Sequence, residues 1–155
     1  MKIRFAQKED VPEVLDMCKA LFAESRFRHY AFSDAKVIAA IESMLVNEPA
    51  ACILLAQRSD GDLAGMLAGY ATEFFFCTGV VVQDRLFYVK PEYRGSPAAI
   101  KLLLAFRQWA EQRSADELCI NMSVAIDMAR FNKLMTHLGF KCSGSNFSLV
   151  LPRTV

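Results

Sequence analysis

The chain has 155 residues, 54% of them hydrophobic, and its formal net charge is +1. This length fits one domain with a proper core, so we expect a single domain over residues 1–155. The charges are scattered, without the basic block that tracks a phosphate backbone, and no apolar run of about 18 residues could span a bilayer. The composition therefore argues against nucleic acid and against a membrane as partners.

Cysteine usage bears on redox state and metal binding. The five cysteines lie in apolar sequence without Cys-x-x-Cys spacing, so we expect reduced thiols in a cytoplasmic protein and no metal site. Residues 1–5 lead straight into a strand pattern, and we expect no signal peptide. The high apolar content favours a buried subunit interface, as in a homodimer.

Hydrophobic periodicity and turn signals divide the chain into strands and helices. In chain order they predict a strand over 2–6, helices beginning after residues 10 and 33, strands over 51–57, 63–76 and 80–89, a helix over 98–113, a strand over 118–124, a helix over 127–138, and a terminal hairpin of 140–142 with 147–151. Three consecutive strands indicate an antiparallel front half, and the central strand-helix-strand indicates a locally parallel pair.

The junction between the strand that ends at Val89 and the helix that begins at Ala98 is the centre of the chain. A tight turn between a strand and a helix leaves free backbone N–H groups at the positive end of the helix. Such a junction is a ready site for phosphate oxygens. A nucleotide-binding protein that uses the same helix N-terminus is one interpretation of this feature.

The residues at this junction favour a more specific interpretation. Val-x-Pro-x-x-Arg-Gly at 89–95, followed by small residues, resembles the acyl-CoA-binding motif of the GNAT superfamily of N-acetyltransferases. The family pattern Gln/Arg-x-x-Gly-x-Gly/Ala is matched here by Arg94-x-x-Pro97-x-Ala99. Pro97 replaces the first glycine, which removes one N–H donor but suits the first helical turn. Leu-Gly-Phe at 138–140 and the element order also resemble the family.

The resemblance implies an α/β (α+β) GNAT-like fold, with a mixed central sheet of six to seven strands flanked by four helices. It implies an N-acetyltransferase that moves an acetyl group from acetyl-CoA to a primary amine by direct attack in a ternary complex. The acceptor would be a small-molecule or peptide amine. Backbone N–H groups would bind the pyrophosphate and, at about Val89, the oxyanion. The implied cofactor-binding residues are Val89, Arg94, Gly95, Ser96, Pro97, Ala98 and Ala99.

The acceptor amine must lose a proton, since a lysine-type amine titrates near pH ~10.4. Strand alternation predicts that Asp84, Leu86 and Tyr88 share one face. Gln83 occupies the position of a catalytic Glu in some GNAT members and cannot act as a base. Asp84 is a candidate base, because a carboxylate among apolar neighbours has a raised pKa; an ion pair with an arginine is the alternative of equal weight. Glu73 is a second candidate, for which a solvated strand end is the favoured alternative.

The proton for the departing thiolate needs a donor as well. Met135 stands where the family has a tyrosine in Tyr-x-x-x-Gly-Phe, and Tyr88 is a candidate substitute, although packing in the core is the commoner role of such a residue. The loop over 26–32 mixes arginines with aromatics; in the GNAT fold it would help to wall the acceptor site, and an ordinary loop is the alternative. The departures at Gln83, Pro97 and Met135 support a rival hypothesis, a catalytically inactive acyl-CoA-binding or interaction module.

Overall fold

The structure is a computed structural model that describes residues 1–47, 49–121, 127–144, 148–149 and 151. It contains two compact units, residues 1–124 and residues 125–155. The expectation of a single domain stays a prediction. No helix in the described part of the chain is long and apolar enough to cross a membrane.

The described residues form five β-strands and four α-helices. In chain order these are β1 (Lys2–Phe5), α1 (Val11–Glu24), α2 (Asp34–Val46), β2 (Ala51–Gln57), β3 (Leu63–Glu73), β4 (Val80–Val89), α3 (Ala98–Glu111), β5 (Glu117–Cys119) and α4 (Met128–His137). The four predicted helices are confirmed. Ser33 caps α2 by accepting a hydrogen bond from the Lys36 N–H, and Asp127 caps α4 in the same way through Arg130.

The sheet of the first unit has the strand order β1-β2-β3-β4-β5. The first four strands pair antiparallel, and β4 pairs with β5 in parallel, so the mixed sheet predicted from the element order is confirmed. The described residues contain five strands, however, and not six to seven. Residues 140–142 are not a strand, because three alternating residues need a hydrogen-bonded partner to become one. The predicted partner includes residues 147 and 150, and the predicted strand 118–124 includes 122–124, all of which lie outside the described residues.

The two faces of this sheet pack against different helices. On one face, buried side chains of α1 form a core with the inward residues of β2, β3 and β4, which include Met66 and Tyr88. On the other face lies α3, which buries Leu102, Leu103 and Phe106. Gly69 of β3 lies under the Phe106 ring, where a Cβ atom would come within 2.3 Å of the ring. The apolar stripe of α3 therefore covers this face of the sheet.

A β-bulge in β4 decides on which face each candidate side chain lies. Gly69 of β3 is paired with Asp84, whereas the residue before it is paired with Leu86, so Arg85 is an extra residue in β4. The extra residue reverses the alternation of the side chains. Asp84 therefore shares the α3 face with Gly69, while Leu86 and Tyr88 lie on the α1 face. The expectation that Asp84, Leu86 and Tyr88 share one face is wrong for this reason.

Candidate functional site

The second half of β4 has an open edge. β5 pairs with β4 from Val81 to Gln83, and no described strand pairs with the remainder of that edge. The Lys90 N–H donates to the Ala64 carbonyl at 3.0 Å, so the neighbouring pair of Gly65 and Val89 is a non-hydrogen-bonded pair of the ladder. The N–H and C=O groups of Val89 therefore point away from β3, toward the open edge. Among the described residues the Val89 N–H has no acceptor.

A short turn leads from this edge to the N-terminus of α3. Residues 91–93 form one 3-10 turn, and Gly95 has a φ of +92°, a conformation that side chains other than glycine rarely adopt. The N–H of Arg94 donates to Pro91, and the N–H of Ser96 donates to Tyr93. Residues 94–99, whose backbone amides are predicted to bind the pyrophosphate, are called the cradle below. Turn hydrogen bonds use two of these amides.

The remaining amides of the junction differ in what they offer to an anion. Pro97 has no N–H, and the Ala98 N–H donates to Ser96 Oγ at 3.3 Å. The N–H groups of Gly95, Ala99 and Ile100 have no acceptor within the part of the chain that the structure describes. No acidic residue lies in the first turn of α3, so the positive end of the helix dipole is not neutralised. Phosphate oxygens fit these free donors.

Asp84 lies where the pairing between β4 and β5 ends. It is 9% exposed, and its Oδ1 atom accepts hydrogen bonds from the backbone N–H (2.6 Å) and the side-chain Nδ2 (3.1 Å) of Asn121. Burial raises the pKa of Asp84 to about 6, and the two hydrogen bonds from Asn121 partly oppose this shift. No described residue forms an ion pair with Asp84. Its partner is a neutral amide, and it keeps the raised pKa that a general base near neutral pH requires.

Tyr88 lies on the opposite face of the sheet, beside two charged side chains. Its hydroxyl donates to Oε1 of Glu24 at 3.0 Å, and Oε2 of Glu24 binds Nη2 of Arg94 at 2.5 Å. Tyr88 is 4% exposed. Burial, followed by the hydrogen bond and the negative charge of Glu24, raises the pKa of Tyr88 to about 12, so its hydroxyl stays protonated. Arg94 also donates from Nε to the Val89 carbonyl at 3.1 Å.

The three candidate catalytic side chains do not form one cluster. Glu73 is the exposed last residue of β3 and is paired with Val80, at the far end of β4 from Val89. The distance between those two ends is about 30 Å at ~3.3 Å per residue. Asp84 lies between them on the α3 face, and Tyr88 lies on the α1 face next to Val89. In the second unit Met135 is buried, and a thioether has no proton to donate.

Sequence analysis missed Glu24 and Asn121. Each acts on a residue far away along the chain, since Glu24 contacts Tyr88 and Arg94 at separations of 64 and 70 residues. One signal was present for Glu24, an acidic residue in the last turn of a helix, where the dipole disfavours negative charge. For Asn121 the only signal is a polar residue within the predicted apolar strand 118–124.

The comparisons with known proteins agree with this geometry. The family model described as Acetyltransferase (GNAT) family matches residues 13–140. No curated protein matches the sequence.

Solved structures share the fold. The structure of AAC(6')-Iy in complex with the bisubstrate analogue CoA-S-monomethyl-acetylneamine has a TM-score of 0.75 at 19% identity, over 98% of this chain and 98% of that chain. A predicted acetyltransferase with acetyl-CoA from Clostridium acetobutylicum has a TM-score of 0.78 at 17% identity, over 96% and 95%. A ribosomal-protein-alanine N-acetyltransferase from Brucella melitensis biovar Abortus 2308 has 0.70 at 23%, over 97% and 100%. The family model covers most of the chain, and the sheet and the junction agree with it. The chain therefore belongs to the GNAT acetyltransferase family.

Proposed function

We propose that this protein is an acetyl-CoA-dependent N-acetyltransferase that moves the acetyl group to a primary amine by direct attack in a ternary complex. One observation carries the proposal: an open edge of β4 ends at a free Val89 N–H and is followed at once by free amides at the N-terminus of α3. The first can stabilise an oxyanion, and the second can bind a pyrophosphate. Membership of the GNAT family supports acyl transfer as the reaction.

The cofactor-binding residues of the proposal divide by what each contributes. Gly95 and Ala99 offer free N–H groups for phosphate oxygens, and Val89 offers its free N–H to the oxyanion. The backbone N–H groups of Arg94, Ser96 and Ala98 are used in the turn, so these residues, with Pro97, shape the cradle. When bound, acetyl-CoA supplies an activated thioester; the protein orients it and stabilises the negative charge on its oxygen.

Candidate side chains for the proton transfers are Asp84 as base and Tyr88 as acid. Asp84, with a pKa of about 6, is largely ionised above pH 7 and can accept the proton of the amine, directly or through water. Tyr88 stays protonated and is the candidate donor to the thiolate, although donation requires it to leave Glu24. Glu73, the second candidate base, has the least support, because it lies at the exposed strand end, about 30 Å along β4 from Val89.

The acceptor is proposed to carry an anionic group as well as its amine. The loop after α1 begins beside the open edge of β4, since Glu24 contacts Tyr88 and Arg94 there. Arg26 and Arg28 in this loop are exposed, and no described carboxylate forms a salt bridge with either. Arg26 lies over the Phe27 ring at 4.7 Å. These cations favour a carboxylate or phosphate on a small-molecule or peptide amine and disfavour a polycation.

A cytoplasmic homodimer completes the proposal. Phe75 and Phe76 are each 93% exposed, which supports an apolar contact between copies of the chain. All five cysteines are free thiols, as suits a reducing compartment. Light scattering after gel filtration tests the dimer: a monomeric mass at micromolar concentration would contradict it.

The test of the function is calorimetric titration with acetyl-CoA, with ATP as the control ligand, followed by a panel of amines. We expect micromolar binding of acetyl-CoA, no binding of ATP, and release of CoA in the presence of an acceptor. Binding without turnover on any amine would favour the inactive module. Binding of ATP in place of acetyl-CoA would favour the nucleotide-binding alternative.

A pair of variants locates the cradle. Ala99→Asp puts a negative charge at the second residue of α3, and we expect acetyl-CoA binding to weaken at least tenfold, because the carboxylate repels the phosphates and takes their N–H donors. Ala35→Asp is the matched control, at the exposed second residue of α2, and its binding constant should stay within twofold of the wild type. Equal binding by both variants would place the pyrophosphate elsewhere.

A further inference from the structure

Glu24 joins three parts of the fold that carry the proposed reaction. It is the last residue of α1, and its two carboxylate oxygens bind the Tyr88 hydroxyl on β4 and the Arg94 guanidinium in the junction. A carboxylate at a helix C-terminus is opposed by the helix dipole. The two donors compensate for this unfavourable position.

The second contact of Arg94 shows where its guanidinium is held relative to β4. While Nη2 is bound to Glu24, Nε donates to the Val89 carbonyl. A guanidinium is planar and rigid, so two fixed nitrogens fix the whole cation. The C=O and N–H groups of one strand residue leave the strand on the same side. Arg94 is therefore held along the open edge of β4, beside the N–H that is the proposed oxyanion donor.

We propose that Glu24 is a positioning residue for acetyl transfer, which holds the Arg94 cation against the Val89 carbonyl and thus beside the oxyanion that forms during the reaction. This inference rests on the proposed N-acetyltransferase function. A cation that is fixed where negative charge develops lowers the barrier of the chemical step. The Arg94 side chain is already 39% exposed in this ion pair, so without Glu24 it is free to approach the phosphates of acetyl-CoA, which strengthens ground-state binding without lowering the barrier.

Stability alone does not account for the contact. An ion pair between partly exposed side chains contributes little to the free energy of unfolding. The pair of Glu13 and Lys90 offers a direct comparison, because it also links α1 to the end of β4, at 3.2 Å and with similar exposure. Among the described residues Lys90 Nζ has Glu13 as its hydrogen-bond partner and no contact with the Val89 carbonyl.

The experiment compares Glu24→Gln with Glu13→Gln. Each variant removes one negative charge from α1 and keeps the size of the side chain. Thermal unfolding shows that each is folded, calorimetry gives the Kd for acetyl-CoA, and release of CoA over a panel of amines gives kcat. For Glu24→Gln we expect kcat to fall about tenfold or more while Kd changes less than threefold. For Glu13→Gln both values should stay within twofold of the wild type.

Arg94→Lys is the second variant. A lysine keeps the charge but carries it on one freely rotating nitrogen, which cannot occupy the two separate positions of Arg94 Nε and Nη2, so we expect it to reproduce the loss of kcat. The double variant Glu24→Gln/Arg94→Lys should lose no more than either single variant, since the two residues act as one unit.

The outcomes separate this inference from the proposed function. A wild-type protein that binds acetyl-CoA and releases CoA, together with a Glu24→Gln variant of unchanged kcat, overturns the inference alone. The inference is also overturned if acetyl-CoA binding weakens by the same factor as kcat falls, because Glu24 would then be only a structural part of the cofactor site. A wild-type protein that does not bind acetyl-CoA, or binds it and releases no CoA, overturns both.

Discussion

Asp84 belongs to β4, and Glu24 contacts the same strand from the end of α1. The two carboxylates have different partners and therefore different proposed roles. Asp84 is 9% exposed and is contacted by the neutral donors of Asn121, which leaves its pKa raised to about 6. The Glu24 side chain is 30% exposed and is contacted by a cation and a hydroxyl. A carboxylate with neutral partners in a buried site can exchange a proton near neutral pH. One that is bound to a guanidinium holds that cation in place.

The largest effect is expected from removal of the proposed proton acceptor, Asp84. Asp84→Asn keeps an oxygen that can accept from Asn121 but cannot take a proton, so we expect kcat to fall by about 10²–10³-fold, the contribution of a general base. The measurement is the rate of CoA release at saturating acetyl-CoA and amine. Asp116→Asn is the matched control, because Asp116 also accepts a backbone N–H beside β4, from Val80 at 2.8 Å.

A wild-type rate in the Asp84→Asn variant would assign Asp84 a structural role and would leave water as the base. Equal losses in the Asp84→Asn and Asp116→Asn variants would indicate damage to the β4–β5 pair in place of lost chemistry. A further readout is the pH profile, in which the wild-type rate should rise through pH 6 and the variant should lack that limb.

The next largest effect is expected in the pH dependence of the free energy of unfolding. The folded pKa of Asp84 is raised to about 6 from 3.8, so between these values the folded state holds more protons than the unfolded state. Its free energy of unfolding therefore falls as the pH rises from about 4 to about 6. The difference of about two pKa units corresponds to about 3 kcal/mol at most. In the Asp84→Asn variant the free energy of unfolding should not show this fall between about pH 4 and about pH 6.

Urea unfolding at pH 4, 5, 6 and 7 checks this prediction. The free energy of unfolding of Asp84→Asn, relative to the wild type, should increase from pH 4 to pH 7 by up to about 3 kcal/mol. A constant difference would mean that Asp84 titrates at the same pH in the folded and unfolded states. The contrast with Glu24 would then rest on geometry alone.

The sequence carried the parts of this site that depend on near neighbours. The turn before Ala98, the helix that follows and the strand that precedes it are each encoded by periodicity and by punctuating residues such as Gly95, so they were predictable. The β-bulge at Arg85 was not, because the strand over 80–89 contains no glycine or proline that would mark a break in its alternation. That one backbone irregularity moved Asp84 to the opposite face from Tyr88.

The side-chain partners were the least predictable part. Whether Tyr88 meets Glu24 depends on how α1 packs across the sheet, 64 residues away in sequence. Local periodicity records which face of α1 is apolar, and it places Glu24 at the end of that helix. It does not record which of the polar residues at the edge of that face reaches another element.

The smallest effect is expected from the neutral partner of Glu24. Tyr88→Phe removes one buried hydroxyl and leaves the contact between Glu24 and Arg94 in place, so the free energy of unfolding should fall by about 1 kcal/mol, the net contribution of one hydrogen bond. Denaturant unfolding at pH 7 measures this change. If the arginine alone fixes Glu24, kcat should fall less than threefold, because a thiolate is a fair leaving group without a donor. A loss above tenfold at unchanged stability would instead assign Tyr88 as the proton donor. Glu24 would then orient the proton donor Tyr88 as well as the Arg94 cation. Both carboxylates, Asp84 and Glu24, would then act on proton transfer, and the difference between them would disappear.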